Sequence, residues 1–370
     1  MKILYILTNL NRSAPNTVII NILLNSDIKN IEIISLNESK DDNYKSFLED
    51  KNIKYSEFTS FKKAFFRLNK IKHRFSDFDV LHLNGYHPNI YGYLLQKLNK
   101  NFKLISTCHS VENQEAQSHN FKGISYLKTK LRLFVQSCLY PKHDRTIGVS
   151  QQVEFYLKEI GCKNSNTIYN GIDYRSFPKL KSKKTNKDFL DLCQVGHVIN
   201  RKNQTFSIDL ISSLKKRDLN VRLHIFGSYD ENSEYYKFLY KKIIDNNIEE
   251  NIVFYGSLQF DELFDKLQYM DIQLLPSLSE GLPLALIEAF YFELPAIVSY
   301  NGGMKEVVKD YENGLVINIS DNRDFEKVYQ YIKSKKYIQN GTKAREMALE
   351  NFSSQKMAKK YLREYLINHE

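Results

Sequence analysis

Long apolar runs are missing from this sequence. No stretch of eighteen or more apolar residues occurs in its 370 positions, so no membrane-spanning helix is expected. The opening Met1–Leu7 meets polar Thr8 and Asn9 at once and reads as a first strand, too short in apolar length for a secretory signal. Cysteine is scarce. Cys108, Cys138, Cys162 and Cys193 are widely scattered, which argues against a zinc site or a disulfide framework and for a reducing cytosol. Each reads as a small core residue. No Gly-x-Gly-x-x-Gly occurs, which weighs against a nicotinamide oxidoreductase. No Asp-x-Asp stands at a suitable strand end, so no bound Mg²⁺ or Mn²⁺ is expected. Acid is also in deficit: 53 Lys and Arg against 43 Asp and Glu leave a net charge of +10. That excess suits an anionic partner, whether nucleotide-sugar, anionic lipid surface or nucleic acid. Lys, Asn and Ile are abundant throughout, so compositional bias accounts for part of it.

What is present alternates. Lys2–Leu7, Ile31–Leu36, Asp79–Leu83, Lys103–Thr107 and Arg145–Ser150 are strand-length runs, with helical stretches such as Val18–Leu24 and Ile90–Leu98 between them. A second series holds Leu192–Gly196, Arg222–Gly227, Ile252–Gly256, Ile272–Pro276 and Pro295–Ser299, with glycine recurring at the strand ends. Between them Phe177–Lys187 is polar and Lys-rich and reads as a linker. The pattern predicts two doubly wound parallel-sheet domains, over 1–178 and 188–352, with a cleft between them. The remainder, 353–370, has helical spacing over Ser353–Asn368.

Two carboxylates stand out. Glu280 and Glu288 flank Gly281-Leu282-Pro283, which reads as a loop opening into a helix with Pro283 near its first position. Leu282–Leu294 is apolar almost all round apart from Glu288 and Glu293, so the helix is expected to be buried. A buried Glu288 then needs hydrogen-bond partners, and a hydroxyl-rich ligand supplies them. The bland alternative is an ion pair with a Lys for Glu288 and a surface loop for Glu280. The surroundings favour a site: strand, glycine loop, helix, strand is a βαβ unit, and Glu280 falls beyond a strand's carboxyl end.

The run Asp271, Pro276-Ser277, Glu280-Gly281-Leu282-Pro283, Glu288-Ala289, Pro295, Gly302-Gly303 with Glu306, and Gly314 resembles the donor-binding signature of glycosyltransferase family 4. That family groups retaining enzymes of the two-domain GT-B fold. The resemblance implies two Rossmann-like domains facing a central cleft and a terminal helix crossing back to the first domain. It implies that Glu288 accepts hydrogen bonds from ribose hydroxyls, Glu280 binds the sugar hydroxyls, and the amides of Gly281 and Leu282 lie near sugar and diphosphate.

Weaker likenesses extend it. In Gly196-His197-Val198-Ile199-Asn200-Arg201-Lys202, Lys202 stands where the family has a diphosphate-binding Lys, and His197 replaces its Arg. Arg201 is a substitute for that lost charge; a solvated basic loop is the plain alternative. Asn11–Thr17 lacks the family's paired glycines, so the expectation there is a helix started by Pro15 with the amides of Asn16 and Thr17 free for phosphate. Thr107-x-His109 places His109 at a strand end, for polar contact or proton relay beside sugar and acceptor. His82-x-Asn84-Gly85 reads as an acceptor-side loop, and Asn170-Gly171-Ile172-Asp173 as the turn ending the first domain.

Phe61–Phe75 carries an apolar stripe of Phe61, Ala64, Phe65, Leu68, Ile71 and Phe75. Lys62, Lys63, Arg67, Lys70 and Arg74 lie opposite it, with no acid. The expectation is a helix packed on the sheet whose cationic face, extended by Lys128, Lys130 and Arg132, meets solvent or anionic headgroups, with Phe66 dipping in.

Together these imply a glycosyltransferase of the hexosyltransferase type. It would move sugar from a nucleoside diphosphate sugar, a UDP-sugar by preference, to a glycan or polyprenyl-linked glycan, in bacterial surface polysaccharide synthesis. The expected location is cytoplasmic, peripheral at the inner face of the cell membrane, with no cofactor. A catalytically inactive GT-B scaffold is left open by the changed loops at Ala14 and His197. A basic nucleic-acid-binding protein leaves Glu288 unexplained, so no nucleic acid partner is expected.

Overall fold

The computed structural model describes the whole chain apart from residues 27, 40–42, 99–100, 112–113, 115–122, 182–187, 321–322 and 368–370, and the side chains at 43, 68–74, 123 and 323. It divides into two compact units. One comprises Met1–Glu112, Phe121–Gly171 and Ser354–Glu370; the other Asn113–Asn120 and Ile172–Ser353. No described helix is long and apolar enough to cross a membrane.

The first unit is a parallel sheet of seven strands: β1 (Lys2–Leu7), β2 (Asn30–Ser35), β3 (Lys54–Glu57), β4 (Val80–Asn84), β5 (Lys103–Cys108), β6 (Arg145–Gly148) and β7 (Ser165–Thr167), in spatial order β3-β2-β1-β4-β5-β6-β7. Both faces are covered, so β1 is apolar on both. Ile3, Tyr5 and Leu7 pack beneath the helices Ala14–Leu24 and Ser354–Leu366, while Leu4 and Ile6 share the other core with Tyr91 and Leu95 of Tyr86–Leu98.

The second unit repeats the plan with β8 (Leu190–Val195), β9 (Val221–Phe226), β10 (Ile252–Gly256), β11 (Ile272–Leu275), β12 (Ala296–Ser299) and β13 (Gly314–Ile317), ordered β10-β9-β8-β11-β12-β13. In each sheet the order reverses once, between β1 and β4 and between β8 and β11. Doubly wound sheets bind ligands beyond the strand ends at such a switch point.

The chain passes from the first unit to the second after Gly171, within the turn at Asn170–Asp173, rather than at 178. Tyr174 stacks on Tyr291 at 5.2 Å, and Phe177 packs on Phe264 at 4.3 Å, so the start of the supposed linker belongs to the second unit's core. Residues 182–187 of that stretch lie outside the described residues.

The helix Ser354–Leu366 is part of the first unit, and polar chemistry fixes it there. His82 is fully buried. Its Nδ1 lies 2.7 Å from the Tyr365 hydroxyl and its Nε2 2.8 Å from Thr107 Oγ1, which in turn meets the Tyr361 hydroxyl at 3.1 Å. Burial drives the His82 pKa down to about 3, so the ring is neutral. Lys103 Nζ donates to the carbonyls of Glu364 and Ile367 at 2.5 and 2.7 Å, closing the helix's C-terminal end.

Candidate functional site

Three strand-end glycines build the floor of the second unit's switch point. Gly196, Gly227 and Gly256 follow β8, follow β9 and end β10, all with positive φ (143°, 153° and 71°). Gly196 N donates to Phe226 O, and Gly227 N to Gly256 O. A Cβ on Gly227 would stand 2.1 Å from Gly196 O, so the two loops touch through backbone.

On this floor lies Lys202. Its stem crosses Gly196, where a Cβ would stand 2.9 Å from Lys202 Cε. Gln194 donates to the Lys202 carbonyl at 2.7 Å and accepts from Ser207 Oγ at 2.7 Å, so the lysine rises from a rigid base. It is 8% exposed, which rules out the solvated basic loop.

From β11, Pro276–Ser279 returns beneath the same loop: Leu278 N donates to Arg201 O at 2.8 Å. Glu280 arrives between the cations, with Oε1 2.7 Å from Lys202 Nζ and Oε2 3.0 Å from Arg201 Nη1. Arg201 Nη1 also donates to Ser279 O at 3.0 Å. Burial alone would raise the Glu280 pKa; the charges of Lys202 and Arg201 outweigh it, and the carboxyl is held below its ordinary range. Arg201 Nε and the Ser279 hydroxyl are buried with no hydrogen-bond partner. Polar atoms oriented but unpaired in a cationic recess are what an oxygen-rich anion would satisfy.

Gly302, from the loop after β12, seals the back. Its φ is +78°, and a Cβ there would lie 2.0 Å from Glu280 O. Gly303 N donates to Gly281 O at 2.8 Å. Gly302→Ala is therefore expected to cost on the order of 2 kcal/mol or more and to displace Glu280 from its cations. Thermal melts and donor kcat/KM read the two effects, and a variant unchanged in both would show that the Gly302–Glu280 contact is dispensable.

Several expectations need correction. Glu288 is not the buried acid; Glu280, at 6% exposure, is. The helix is Leu284–Tyr291, and Ala285 and Glu288, one turn apart, share a half-buried strip on an otherwise buried element. Its end is a Schellman turn, with Glu293 in the left-handed region and Leu294 N donating to Ala289 O at 3.0 Å. Pro283 is the N-cap residue, and Gly281 and Leu282 are buried beside it. His197 does not restore the missing cation. Its Nδ1 lies 2.5 Å from Ser228 Oγ, and its pKa is lowered by partial burial of the ring and then by Lys202 and Arg201. The sequence reading assigned Glu280 and the two cations to separate tasks; the fold puts them in contact.

In the first unit, residues at the switch point also converge. Asn84, ending β4, donates through Nδ2 to Pro15 O at 3.0 Å and meets His109 Nε2 through Oδ1 at 2.6 Å. With the amide so turned, His109 Nε2 carries the proton and Nδ1 the lone pair. Burial lowers the His109 pKa to about 4, which keeps the ring neutral. Gly85 (φ +115°) approaches Thr8, where a Cβ would stand 2.7 Å from Thr8 Oγ1. The amides of Asn16 and Thr17 are not free. Ser13 caps the helix Ala14–Leu24, taking Asn16 N on its Oγ at 3.4 Å and Thr17 N on its carbonyl at 2.8 Å. Asn16 instead ties the loop, donating to the carbonyls of Asn9 and Asn11.

Residues 176–350 match the family described as Glycosyl transferases group 1, and residues 33–175 match Glycosyltransferase Family 4. The chain is 26% identical to the O-antigen biosynthesis glycosyltransferase WclY of Escherichia coli, over 98% of its length and 97% of the relative's. It is 31% identical to the capsular polysaccharide biosynthesis glycosyltransferase CapH of Staphylococcus aureus, over 40% of its length and 41% of the relative's. Among solved structures, Anabaena Alr3699/HepE in complex with UDP-glucose shares the fold, with a TM-score of 0.80 at 16% identity over 98% of this chain and 99% of that one. Matches running from residue 33 to residue 350, on two doubly wound units each with a polar cluster at its switch point, leave one assignment: the chain belongs to glycosyltransferase family 4 and is a glycosyltransferase of GT-B fold.

Proposed function

We propose that the protein transfers a sugar, with retention of anomeric configuration, from a UDP-sugar to a hydroxyl of a glycan or polyprenyl-linked glycan in surface polysaccharide synthesis. The observation that carries this reading is the buried cluster of Lys202, Arg201 and Glu280 at the β8–β11 switch point, with its unpaired Arg201 Nε and Ser279 hydroxyl. Diphosphate oxygens are the ligand chemistry that such cations suit. In this reading Lys202 and Arg201 stabilise the charge on the leaving diphosphate, without a bound metal. Glu280, released in part from its cations, turns an oxygen to the sugar hydroxyls. Glu288, on the open strip of its helix, takes the ribose hydroxyls, and the amides of Gly281 and Leu282 lie along sugar and diphosphate. UDP as the carrier is supported by the complex of Anabaena HepE with UDP-glucose, and the polysaccharide product by the named roles of WclY and CapH.

In the first unit, His109 offers a lone pair at Nδ1, held in place through Nε2 by Asn84. It accepts a hydrogen bond from a sugar or acceptor hydroxyl, and Asn84 and Gly85 shape the acceptor side. The protein works at the inner face of the cell membrane, where a polyprenyl-linked acceptor is held.

The test is calorimetry of the purified chain against UDP-, GDP-, ADP- and dTDP-sugars, followed by NMR of the product's anomeric proton. Binding of one UDP-sugar with retained configuration is expected. No binding of any nucleotide sugar would sink the reading, and an inverted product would sink its stereochemical part.

A further inference from the structure

The helix Glu234–Asp245 of the second unit presents a face that the donor recess does not use. Tyr236, Tyr240 and Ile244 recur every four residues along it and form one row, with steps of about 6 Å. Their aromatic part is a stack of three rings. Tyr229 lies on Tyr236 at 4.9 Å and 5°, and Tyr236 on Tyr240 at 6.3 Å and 13°. Phe254, from β10, meets Tyr229 and Tyr236 edge-on at 5.5 and 5.4 Å and ties the stack to the core. Tyr235 anchors the same helix: its hydroxyl accepts from Thr205 N at 3.4 Å and donates to Gln204 Oε1 at 3.3 Å. The row is therefore ordered before any ligand arrives. Its last ring, Tyr240, is 51% exposed.

Exposed aromatics elsewhere lack this order. On the helix Phe61–Ile71, Phe65 was expected from the sequence to pack inward with Ala64; it is instead 46% exposed and lies edge-on to Phe66 at 84°. The side chains of Leu68, Lys70, Ile71 and Arg74 on that stretch lie outside the described residues. Beside the tyrosine row, by contrast, runs a groove of about 510 Å³, a volume within the range of small-ligand sites. Lys237 and Lys241 line it one position further along the helix, and Glu231 and Asp245 complete it. Among the described residues, none of these four charged side chains is in an ion pair.

The charges select the occupant. Glu231 and Asp245 balance Lys237 and Lys241, so an anionic strand would meet as much repulsion as attraction. A second copy of the chain needs more surface: a stable protein interface takes about twenty residues or more a side, and seven line this groove. What fits is a neutral ligand with flat apolar faces and groups that both donate and accept hydrogen bonds. A pyranose ring has that division, with C–H faces for the tyrosines and a rim of hydroxyls for the ammonium and carboxylate groups. We propose that the groove on the helix Glu234–Asp245 holds a glycan chain, its sugar faces on Tyr236 and Tyr240 and its hydroxyls on Glu231, Lys237, Lys241 and Asp245. The site is separate from the Lys202–Glu280 recess and from the Asn84–His109 pair and shares no residue with either. Only the identification of this glycan with the product of transfer rests on the proposed function; the binding does not.

The chain has no tryptophan, so Tyr240→Trp places a single indole on the row to report stacking. The full chain is titrated with maltohexaose, cellohexaose and chitohexaose, and separately with oligothymidylate, by calorimetry and by indole emission. Saturable binding of at least one hexasaccharide, indifferent to salt and accompanied by a change in emission, is expected. Tyr240→Ala should weaken it roughly tenfold at unchanged melting temperature. Lys241→Met and Asp245→Asn should each weaken it roughly threefold or more. Binding of none of the hexasaccharides overturns the proposal. So does glycan binding that survives Tyr240→Ala, which would belong to the transfer site. So does salt-sensitive binding of oligothymidylate tighter than that of any glycan, and so does a dimer in solution that Tyr240→Ala dissociates. UDP-sugar calorimetry on the same samples keeps the two readings apart: loss of the groove leaves donor binding intact, and failure of the donor reading leaves glycan binding at Tyr240 intact.

Discussion

Replacing Lys202 by Met is expected to lower kcat/KM for the sugar donor by a factor of about 10²–10³ while the second unit stays folded. Met keeps the unbranched stem that crosses Gly196 and removes only the charge. The backbone at 202 is held independently, through its carbonyl to Gln194 and on to Ser207, so the loop has no reason to move. Glu280 then keeps Arg201 as its partner, and the loss of one partner from a buried carboxylate costs about 1–3 kcal/mol. That predicts a lowered but cooperative melt together with a far larger loss of donor turnover. The converse substitution, Glu280→Gln, leaves the two cations without their shared counter-charge. Its product with Lys202→Met in a double-mutant cycle should depart from additivity, because the pair is in contact. Donor affinity unchanged in Lys202→Met by calorimetry would remove the diphosphate role altogether.

A chain ending at Ser353 is expected not to form a stable first unit. Ser354–Leu366 contributes Met357, Ala358, Tyr361 and Tyr365 to the same core as Ile3, Tyr5 and Leu7. Without it, only Ala14–Leu24 covers that face of β1, and His82, Thr107 and Lys103 lose the Tyr365 hydroxyl, the Tyr361 hydroxyl and the carbonyls of Glu364 and Ile367 respectively. Removal of a single large core side chain costs about 3–5 kcal/mol, and whole domains hold only about 5–15 kcal/mol. The milder Tyr365→Phe keeps the ring and takes a hydroxyl from both His82 and Tyr5; about 1–3 kcal/mol is expected. Hydrogen exchange resolves the two units, and full protection of β1, β4 and β5 in the truncated chain would refute the argument.

The sequence made the second unit's signature legible because its parts are close in the chain: strand, glycine loop, helix and strand lie between Ile272 and Ser299. It could not show that Glu280 meets Arg201 and Lys202. Those residues lie far apart in sequence and are brought together by the pairing of β8 with β11, Leu192 opposite Ile272 and Cys193 opposite Gln273. An apolar run says how greasy a helix is and not which strip stays open, so it does not show that Glu288, with Ala285 one turn earlier, is only half-buried. At the other switch point, Ser13 was in plain view as a cap, and it takes the two amides that phosphate was expected to find. The strands Lys54–Glu57 and Ser165–Thr167 carry no apolar run that would mark them in the sequence, unlike Ile252–Gly256, which is also an edge. Cys138 reads as a core residue by type, but it is exposed.

The first unit's core takes its last contribution, the helix Ser354–Leu366, from beyond the whole of Ile172–Ser353. During translation, the amino-terminal sheet must therefore leave the ribosome with one flank only partly covered and remain so while the entire second unit is made. Domains usually fold in the order of their synthesis. Here the half begun first is finished last, and the interval before the closing helix emerges is when a nascent chain of this kind has most need of a chaperone.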